Sequence, residues 1–487
     1  MNRNQEVELK LEVAPGDADA CRALEVLGDP KRRPVDQTTA YFDTPAGNLR
    51  KAGFSLRIRR RGKSFWQTVK HRGAEAGGFS SRAEWEKALT GPELDFAALA
   101  STPVGALLSK RDMKKRLTRV SETRVRRTTW LVDRGPSQIE VILDEGEVVS
   151  GDRQTPISEI ELELKRGSRA DLFDLAREIG RKVALRMGVN SKSERGFRLL
   201  EGHKERARKA QRVRLDAGMN VADAFATIVQ SCLRHFRLNE PLISPGNQGG
   251  ALHQARVALR RLRSAFSLFR PAVADGELER LAGELRHFAN LLGEARNLDV
   301  MLASPGRGRD DRRRLREQRD IAYGRVAVAL VGPRLPCLIL DIVAWAETGE
   351  WREGEAARGP ILPFSVDRLD RRWKRVRRQA KSFDSFDAEQ RHQLRIDIKK
   401  LRYACEFFAG LVPKSRRGEC KAFVGRVEEI QESLGKLNDI ETARQLAAEL
   451  GTAVDEEAVE REAQALLRMT GHNLKALRAM RPYWKSG

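Results

Sequence analysis

The sequence has few aromatic residues, few cysteines and no long apolar run, and each shortage excludes a class of protein. Only 6% of its 487 residues are Phe, Trp or Tyr, so stacking platforms for single-stranded nucleic acid are scarce. The five cysteines are scattered, with no C-x-x-C pair, which argues against a disulfide framework and a structural zinc site. No stretch approaches the roughly 18 consecutive apolar residues of a membrane-spanning helix.

Positive charge is what the chain has in excess. Its 91 Lys and Arg against 68 Asp and Glu leave a net charge of +23, with the excess present in both halves. Such a field attracts anions, but zinc-finger, RNP-type and basic-zipper patterns are absent, so no specific nucleic-acid partner is indicated. Because the N-terminus also carries no apolar leader segment, we expect a cytoplasmic protein that binds a polyanion.

The first half of the sequence predicts strands with one polar and one apolar face. The opening segment EVELKLEV, for example, places Glu6, Glu8 and Lys10 on one face, and at least six further segments repeat the alternation. Two of these faces are almost purely acidic and two almost purely basic, which an open sheet facing water does not explain because like charges repel. A closed antiparallel barrel with a charged, water-filled interior explains them better, provided that metal ions and a polyanion occupy it.

A histidine-led basic motif occurs twice in the second half, as HQARVALRRLR at 253–263 and HQLRIDIKKLR at 392–402. At helical spacing each copy has one apolar and one cationic face. The repetition predicts a duplicated helical unit whose two cationic faces form a polyanion site. Solvated helix faces are the alternative, as they are for the basic helix predicted at 368–381.

Eight short motifs of the first half resemble, in their order, those of the CYTH domain. They are ExExK at 6–10, YFDT at 41–44, LRIR at 56–59, QTVK at 67–70, RAEWE at 82–86, LDEG at 143–146, EIELEL at 159–164 and SKSERG at 191–196. This family, also called the triphosphate tunnel metalloenzymes, resembles the chain over about residues 1–202. The resemblance implies an eight-stranded tunnel that binds a triphosphate together with Mg²⁺ or Mn²⁺, and a metal-activated water that attacks the terminal phosphoryl group.

The same resemblance implies a role for individual residues. The expected metal ligands are Glu6, Glu8, Asp144, Glu161 and Glu163, with Glu159 as a further acidic member of this group. The expected catalytic and phosphate-binding residues are Lys10, Arg57, Arg59, Lys70, Arg82, Arg124, Arg126 and Lys192, with Glu84 and Glu86 as acidic lining. Carboxylate oxygens suit hard divalent cations, and arginine forks match phosphate oxygens.

The paired basic helices resemble the CHAD domain over about residues 219–485. Two later segments support the resemblance, LLGEARNLDV at 291–300 and SLGKLNDIET at 433–442, although Asn297 departs from the aspartate that is usual in the family's R-D-x-D pattern. The family implies two pseudo-symmetric helical bundles that bind inorganic polyphosphate. The expected polyphosphate-binding residues are His253, Arg256, Arg260, Arg261, Arg263, Arg296, His392, Arg395, Lys399, Lys400 and Arg402.

Together these features predict an α+β architecture in three parts: an eight-stranded antiparallel β tunnel barrel at 1–202, a basic helical linker at 203–218, and an all-α duplicated helical-bundle domain at 219–487. The predicted function is metal-dependent hydrolysis of tripolyphosphate to pyrophosphate and phosphate, joined to binding of long-chain polyphosphate. The alternatives are an enzyme acting on an organic triphosphate and a non-catalytic polyphosphate-binding scaffold. The expected location is the cytoplasm, where association with polyphosphate granules stays open, as does the oligomeric state.

Overall fold

The structure of the protein is a computed structural model that describes residues 2–71, 77–202, 206–244, 250–303, 308–450 and 456–485. The side chains of residues 2–5, 82, 443 and 445–450 lie outside this description. The strands are β1 (Asn2–Val13), β2 (Val35–Asp43), β3 (Phe54–Arg61), β4 (Ser64–His71), β5 (Phe79–Leu89), β6 (Thr118–Arg134), β7 (Ser137–Ser150), β8 (Arg153–Arg166) and β9 (Leu185–Met187).

Short helices connect the strands, and long helices follow them. The helices of the strand region are α1 (Ala18–Arg22), α2 (Asn48–Lys51), α3 (Phe96–Ala100), α4 (Gly105–Leu108), α5 (Arg169–Gly180) and α6 (Lys192–Glu201). The later helices are α7 (Val221–Arg237), α8 (Ala251–Val273), α9 (Gly276–Ala303), α10 (Arg309–Val331), α11 (Arg334–Thr348), α12 (Glu355–Arg358), α13 (Ile361–Gln379), α14 (Ala388–Phe408), α15 (Arg417–Leu450) and α16 (Glu456–Ala479).

The first eight strands form a closed antiparallel ring. The order is β5-β4-β3-β2-β6-β7-β8-β1, and β1 pairs with β5 as well as with β8. The short strand β9 adds to β1 outside this ring. The closure removes both sheet edges and confirms the predicted barrel.

The outer face of the barrel is apolar and covered. Leu9, Val141 and Leu162 are fully buried on neighbouring strands, and the amphipathic helix α5 packs against β8 on this side. On another side, Leu56, Val69 and other side chains of β3 to β5 form a core with α2, α3 and α4. Because both coverings bury the apolar residues of the alternating pattern, the polar residues point into the barrel.

Helix α6 fills one end of the barrel. By strand register, Val125, Val148 and Ile157 share the inner face of β6, β7 and β8, and they pack against Leu199 of α6. The helix approaches β6 so closely that a Cβ at Gly196 would lie 2.1 Å from Ser121 Oγ. The glycine of the SKSERG motif is therefore required for this contact.

The later helices repeat one arrangement. The first HQ motif begins near the start of α8 and the second near the start of α14, and each of these helices precedes a long helix, α9 or α15. The segment LLGEARNLDV lies in the C-terminal half of α9, and SLGKLNDIET lies in the middle of α15. This confirms that the second half is helical and that the two motifs occupy equivalent helices.

Contacts divide the chain into two compact units that are interleaved in sequence. Unit 1 consists of Met1–Lys209, Val229–Ala258 and Tyr323–Gly349, and unit 2 of Ala210–Ile228, Leu259–Ala322 and Glu350–Gly487. Among the described residues, no single helix is long and apolar enough to cross a membrane; the bent pair Arg309–Val331 and Arg334–Glu353 meets that test together, by length and composition only.

The predicted helical linker at 203–218 is wrong for its described part. Residues 206–216 have no regular secondary structure, and residues 203–205 lie outside the description. The side chain of Asn239 accepts from the backbone N–H of Arg208 at 2.8 Å and donates to its carbonyl at 2.9 Å. These side-chain bonds satisfy backbone groups of Arg208 that a helix would pair internally, which favours a non-helical conformation at this point of the segment.

Candidate functional site

The interior of the barrel is a charged cavity of about 410 Å³, called here the lumen. Its walls come from the inner faces of β1 to β8 and from the first residues of α6. The sequence-predicted residues that line it are Glu6, Glu8, Lys10, Arg57, Arg59, Lys70, Glu84, Glu86, Glu161, Glu163 and Lys192.

Three carboxylates meet on the inner face of the barrel beside the lumen; Glu161 lines the cavity, and Asp144 and Glu159 are fully buried behind it. Asp144 of β7 and Glu159 and Glu161 of β8 offer oxygens that all lie within 4.8 Å of one another. Cations neutralise this acidic cluster: Lys192 Nζ is 2.8 Å from Asp144, 3.1 Å from Glu161, and also contacts Glu159. Arg127 donates to both oxygens of Asp144, at 2.7 and 2.6 Å. Three converging carboxylates are a donor set that suits a hard divalent cation.

Burial and charge act against each other in this cluster. Burial alone would raise the pKa of Asp144, but Arg127 and Lys192 outweigh it and hold that pKa below its usual value. Burial likewise opposes ionisation of Glu161, whose pKa lies well below the usual value because of Lys192, Lys10 and Arg127. The pKa of Lys192 is raised well above its usual value, since the three carboxylates outweigh its own burial. Asp144 and Glu161 are therefore ionised at neutral pH.

A second lysine lies among three other carboxylates. Lys70 Nζ is 2.6 Å from Glu6 and within 4 Å of Glu8 and Glu84, at 3.9 and 3.6 Å. Arg57 also reaches Glu84, at 3.3 Å. The acidic residues of β1 and β5 are thus gathered around one ammonium group, as those of β7 and β8 are gathered around Lys192.

The facing wall of the lumen is rich in arginine. The Nε atoms of Arg57 and Arg59 are buried and have no hydrogen-bond partner within the described part of the chain. Burial, together with Arg57 and Arg127, lowers the pKa of Arg59 to about 10. Burial, Arg127 and Arg32 also lower the pKa of Arg61. Mutual repulsion among buried cations is relieved when an anion binds between them, so this wall favours a polyanion.

The sequence prediction is wrong for the direction of Arg124 and Arg126. Both are exposed, and Arg124 pairs with Glu122 and Glu147 rather than facing the lumen. The side chain that enters from β6 is Arg127. The alternating pattern gave the wrong inner face because Val125, although it points inward, is apolar and packs against α6. Trp130 indicates the correct face. It lies on the same face of β6 as Arg124 and Arg126 and is fully buried, as expected of a large apolar residue on the outer face.

The structure separates some of the predicted metal ligands. Glu163 contacts Lys165 at 2.8 Å, and burial raises its pKa, in contrast to the residues of the acidic cluster. Glu6 and Glu8 lie around Lys70, as described above. The side chain of Arg82 lies outside the described residues, so its predicted role stays a prediction. Besides Arg127, the lumen residues that the sequence prediction missed are Lys31, Arg32, Tyr41, Arg50, Arg61, Glu140 and Lys165.

A second concentration of positive charge lies in unit 2, where the two copies of the HQ helix meet. Arg260 of the first copy donates to the hydroxyl of Tyr403 in the second copy at 2.8 Å. Burial lowers the pKa of Arg395, and Arg260 lowers it further, although Asp439 opposes this. Cations from equivalent helices therefore face one another, as the repetition predicts.

Neighbouring cations extend this surface. Burial lowers the pKa of Lys400, and Arg372, Arg375 and Arg263 add to the shift while Asp397 opposes it. Burial, chiefly, also lowers the pKa of Arg372, to about 10. The basic face is defined here by Arg260, Arg263, Arg372, Arg375, Arg395 and Lys400. Arg372 and Arg375 belong to α13. From the sequence, the basic run of this helix was compatible with either a solvated face or a phosphate-binding one.

The remaining predicted polyphosphate-binding residues lie in different environments. Arg261 is buried, contacts Glu406 and lies over the ring of Phe407, so it does not belong to the basic face, and its role in polyphosphate binding stays a prediction. Arg402 is paired with Glu406 at 2.9 Å. Of the other members, His253 and His392 are exposed, and Arg256, Arg296 and Lys399 are half-buried. His253 and Arg256 belong to unit 1.

Fold and sites together define a class of protein, a closed antiparallel tunnel with a charged lumen followed by duplicated helices that carry a basic face. Comparison with known families gives the same division. The CYTH domain model matches residues 4–197 and the CHAD domain model matches residues 227–448. The chain belongs to the proteins that carry a CYTH domain and a CHAD domain.

Known proteins resemble the chain in parts. An inorganic triphosphatase from Haemophilus influenzae is 31% identical over 201 residues, which are 40% of this chain and 55% of that protein; the chain thus matches about half the length of this relative. The crystal structure of a CHAD domain from Ricinus communis is 30% identical and covers 56% of this chain and 95% of that one, with a TM-score of 0.45. A Hippeastrum protein named for adenylyl cyclase, with a dominant triphosphatase activity, is 20% identical, with coverage of 40% and 95% and a TM-score of 0.31.

Proposed function

We propose that the barrel is a metal-dependent inorganic triphosphatase that hydrolyses tripolyphosphate to pyrophosphate and phosphate. The observation that carries the proposal is the opposition of two walls in one lumen. The acidic cluster of Asp144, Glu159 and Glu161 faces inward on one side, and arginines with buried, unsatisfied Nε atoms face inward on the other. A metal–triphosphate complex has the matching distribution of positive and negative charge. The Haemophilus relative supports the same reaction class.

The acidic cluster fits a divalent cation by its chemistry. Its oxygens lie within 4.8 Å of one another, and Lys192 shows that a cation is stabilised among them. We propose Mg²⁺ or Mn²⁺ as the ion, held by Asp144, Glu159 and Glu161. A bound divalent ion lowers the pKa of a coordinated water and neutralises charge on the phosphates.

The chain's own residues bind and orient the substrate in this proposal. Arg57 and Arg59 project from β3 and Arg127 from β6 into the lumen, where guanidinium groups bind phosphate oxygens through paired hydrogen bonds. Because their positions are fixed by strand pairing and burial, they require little reorganisation when charge develops on the transferred phosphoryl group. Lys10 and Lys192, already beside the acidic cluster, keep its net charge low before substrate binds.

Phosphate release by the full chain tests this function. Tripolyphosphate, ATP, thiamine triphosphate and long-chain polyphosphate are compared with Mg²⁺, with Mn²⁺ and with EDTA. The proposal expects metal-dependent release that is fastest on tripolyphosphate. Faster release from ATP or thiamine triphosphate would favour the organic-triphosphate alternative, and no release from any substrate would favour the scaffold alternative.

We also propose that unit 2 binds long-chain inorganic polyphosphate on its basic face. The supporting observation is that Arg395 and Lys400 of one HQ helix lie close to Arg260 and Arg263 of the other: besides burial, Arg260 helps to lower the pKa of Arg395, and Arg263 helps to lower that of Lys400. Polyphosphate carries about one negative charge per unit and no bases, so a cationic surface without aromatic platforms is sufficient for it. Binding of labelled polyphosphate to the full chain at increasing salt tests the proposal, and salt-independent binding would contradict it.

A further inference from the structure

A buried arginine of helix α7 contacts the end of strand β1. The side chain of Arg237 is 3% exposed, and its NH2 atom lies 3.1 Å from Glu12 Oε2. It also donates to the carbonyl of Met187 at 3.0 Å and contacts Glu240. Arg237 falls within the CHAD match, whereas Glu12 falls within the CYTH match, and both belong to unit 1.

Glu12 is one of two carboxylates that share a single arginine. Arg195 NH2 lies 3.3 Å from Glu12 and 3.2 Å from Glu159. Glu12 and Glu159 are directly opposite in the pairing of β1 with β8, where like charges destabilise each other. Arg237 supplies the second cation for Glu12, so Arg195 remains available to Glu159, a fully buried member of the acidic cluster.

Helix α7 also reaches the start of α6. Arg234 donates to Glu194 Oε1 at 2.8 Å. The other oxygen of Glu194 accepts from the N–H of Ser191 at 2.9 Å, as part of the capping box that begins α6. The next residue, Lys192, enters the acidic cluster. Two arginines of α7 therefore contact the residues that hold Glu159 of the cluster and its partner Lys192 in place.

We infer that Arg237, with Arg234 beside it, positions the acidic cluster of the barrel, so that the first helix of the CHAD match sets the affinity of the metal site. Arg237 is a positioning residue because it acts through Glu12 and Arg195. When Arg237 is lost, Glu12 draws Arg195 away from Glu159, and the Glu159 carboxylate loses the contact that fixes its orientation. Partners that orient a metal-binding carboxylate change metal affinity by about 10- to 100-fold, and we expect about 3- to 10-fold here because Arg237 is one contact further away.

The inference rests on the proposed metal-dependent function, and Mn²⁺ binding to the full chain tests it without substrate. Arg237→Gln is expected to weaken Mn²⁺ binding about 3- to 10-fold, with kcat on tripolyphosphate reduced similarly and KM within about twofold, because the arginine wall is untouched. Arg234→Gln is expected to change affinity in the same direction. The control is Arg177→Gln, which removes an arginine of unit 1 whose ion pairs are with Asp174 and Asp341 rather than with Glu12.

A double variant separates positioning from a structural role. If Glu12 competes for Arg195, Glu12→Gln combined with Arg237→Gln restores Mn²⁺ affinity to the level of Glu12→Gln alone. A structural role of Arg237 through Glu240 and Met187 is not rescued in this way, and absence of rescue overturns the inference, as does an equal loss in Arg177→Gln. If Arg237→Gln does not fold by circular dichroism, Arg237→Lys is measured in the same cycle. A wild-type chain that binds no Mn²⁺ contradicts the proposed function itself, which is a separate outcome.

Discussion

The lysines of the barrel lumen and the cations on the basic face of unit 2 use positive charge in opposite ways. In the lumen, Lys192 and Lys70 each lie among three carboxylates. On the basic face, Arg260 and Arg395 come from equivalent helices and face each other. The lumen lysines are thus already paired with carboxylates. The cations of the basic face repel one another, and a bound anion would relieve that repulsion.

This difference indicates two kinds of polyanion site. Paired charges on strands are held at fixed positions, which suits a short substrate of defined length together with a metal ion. Helix-borne cations that repel one another select for negative charge without fixing the length or register of the ligand. The predictions that follow separate the two sites by changing one and measuring both activities.

The largest effect is expected in the acidic cluster. Glu161→Gln should lower kcat on tripolyphosphate by at least about a hundredfold, the scale of losing a principal electrostatic group of an active site. Polyphosphate binding by the same variant should remain within about twofold of wild type, because the basic face is unchanged. Phosphate release and filter binding measure the two properties. Glu147→Gln, on the outer face beside Arg124, is the control and should retain activity.

The arginine wall should show the next largest effect. Arg59→Ala should lower kcat/KM on tripolyphosphate by about tenfold or more, since a charge-assisted contact contributes about 1.5 to 3 kcal/mol. Its thermal stability should be equal or higher, because Arg59 is repelled by Arg57 and Arg127. Arg126→Ala is the matched control on the exposed face of β6. Equal losses in both variants would show that the lumen is not the phosphate site.

Neutralising the basic face should change binding but not hydrolysis. Replacing Arg260, Arg263, Arg395 and Lys400 by Gln should weaken polyphosphate binding and reduce its salt dependence, by about three to four in the slope of log affinity against log salt. Tripolyphosphate hydrolysis should stay within about twofold. The control replaces four cations of α10, Arg312, Arg313, Arg314 and Arg316, with the same change in net charge. If the control lost polyphosphate binding to the same extent, net charge alone would explain the effect.

The smallest effect concerns acid stability without metal. The pKa values of Asp144 and Glu161 are depressed below 3.8 and 4.5 in the folded chain, so these groups contribute stability above those values and lose it as the pH falls through the folded pKa. In EDTA, Glu161→Gln should therefore flatten the acid side of the thermal stability profile. Glu163→Gln should act with the opposite sign, because the pKa of Glu163 is raised. Identical profiles for the two variants would contradict this electrostatic account.

The sequence predicted the barrel well because the alternation of polar and apolar residues within each strand is a local pattern. Ordered motifs and alternating charge were sufficient to place Glu6, Glu8, Lys10, Arg57 and Lys192 in the lumen. The prediction was wrong for Arg124 and Arg126, where the inner face becomes apolar against α6. A period of two gives two faces but does not say which is inside when a helix fills the barrel.

Other features depend on contacts that no local pattern carries. The linker at 206–216 has no regular secondary structure, and Asn239, about 30 residues further along the chain, pairs with the backbone of Arg208 in it. Arg261 belongs to the same basic motif as Arg260, but Glu406 and Phe407 of the other HQ helix bury it. The grouping of Asp144 with Glu159 and Glu161, and the separation of Glu163 from them, follow from the three-dimensional register of β7 and β8.

The most direct test of the division between the two sites measures both activities on two full-length variants, Glu161→Gln and the fourfold basic-face variant. The account predicts that Glu161→Gln binds long-chain polyphosphate in EDTA as wild type does but does not hydrolyse tripolyphosphate, and that the fourfold variant hydrolyses tripolyphosphate with Mg²⁺ but binds polyphosphate weakly. If polyphosphate binding required a divalent cation and disappeared with Glu161, both ligands would share the lumen, and the account would be contradicted.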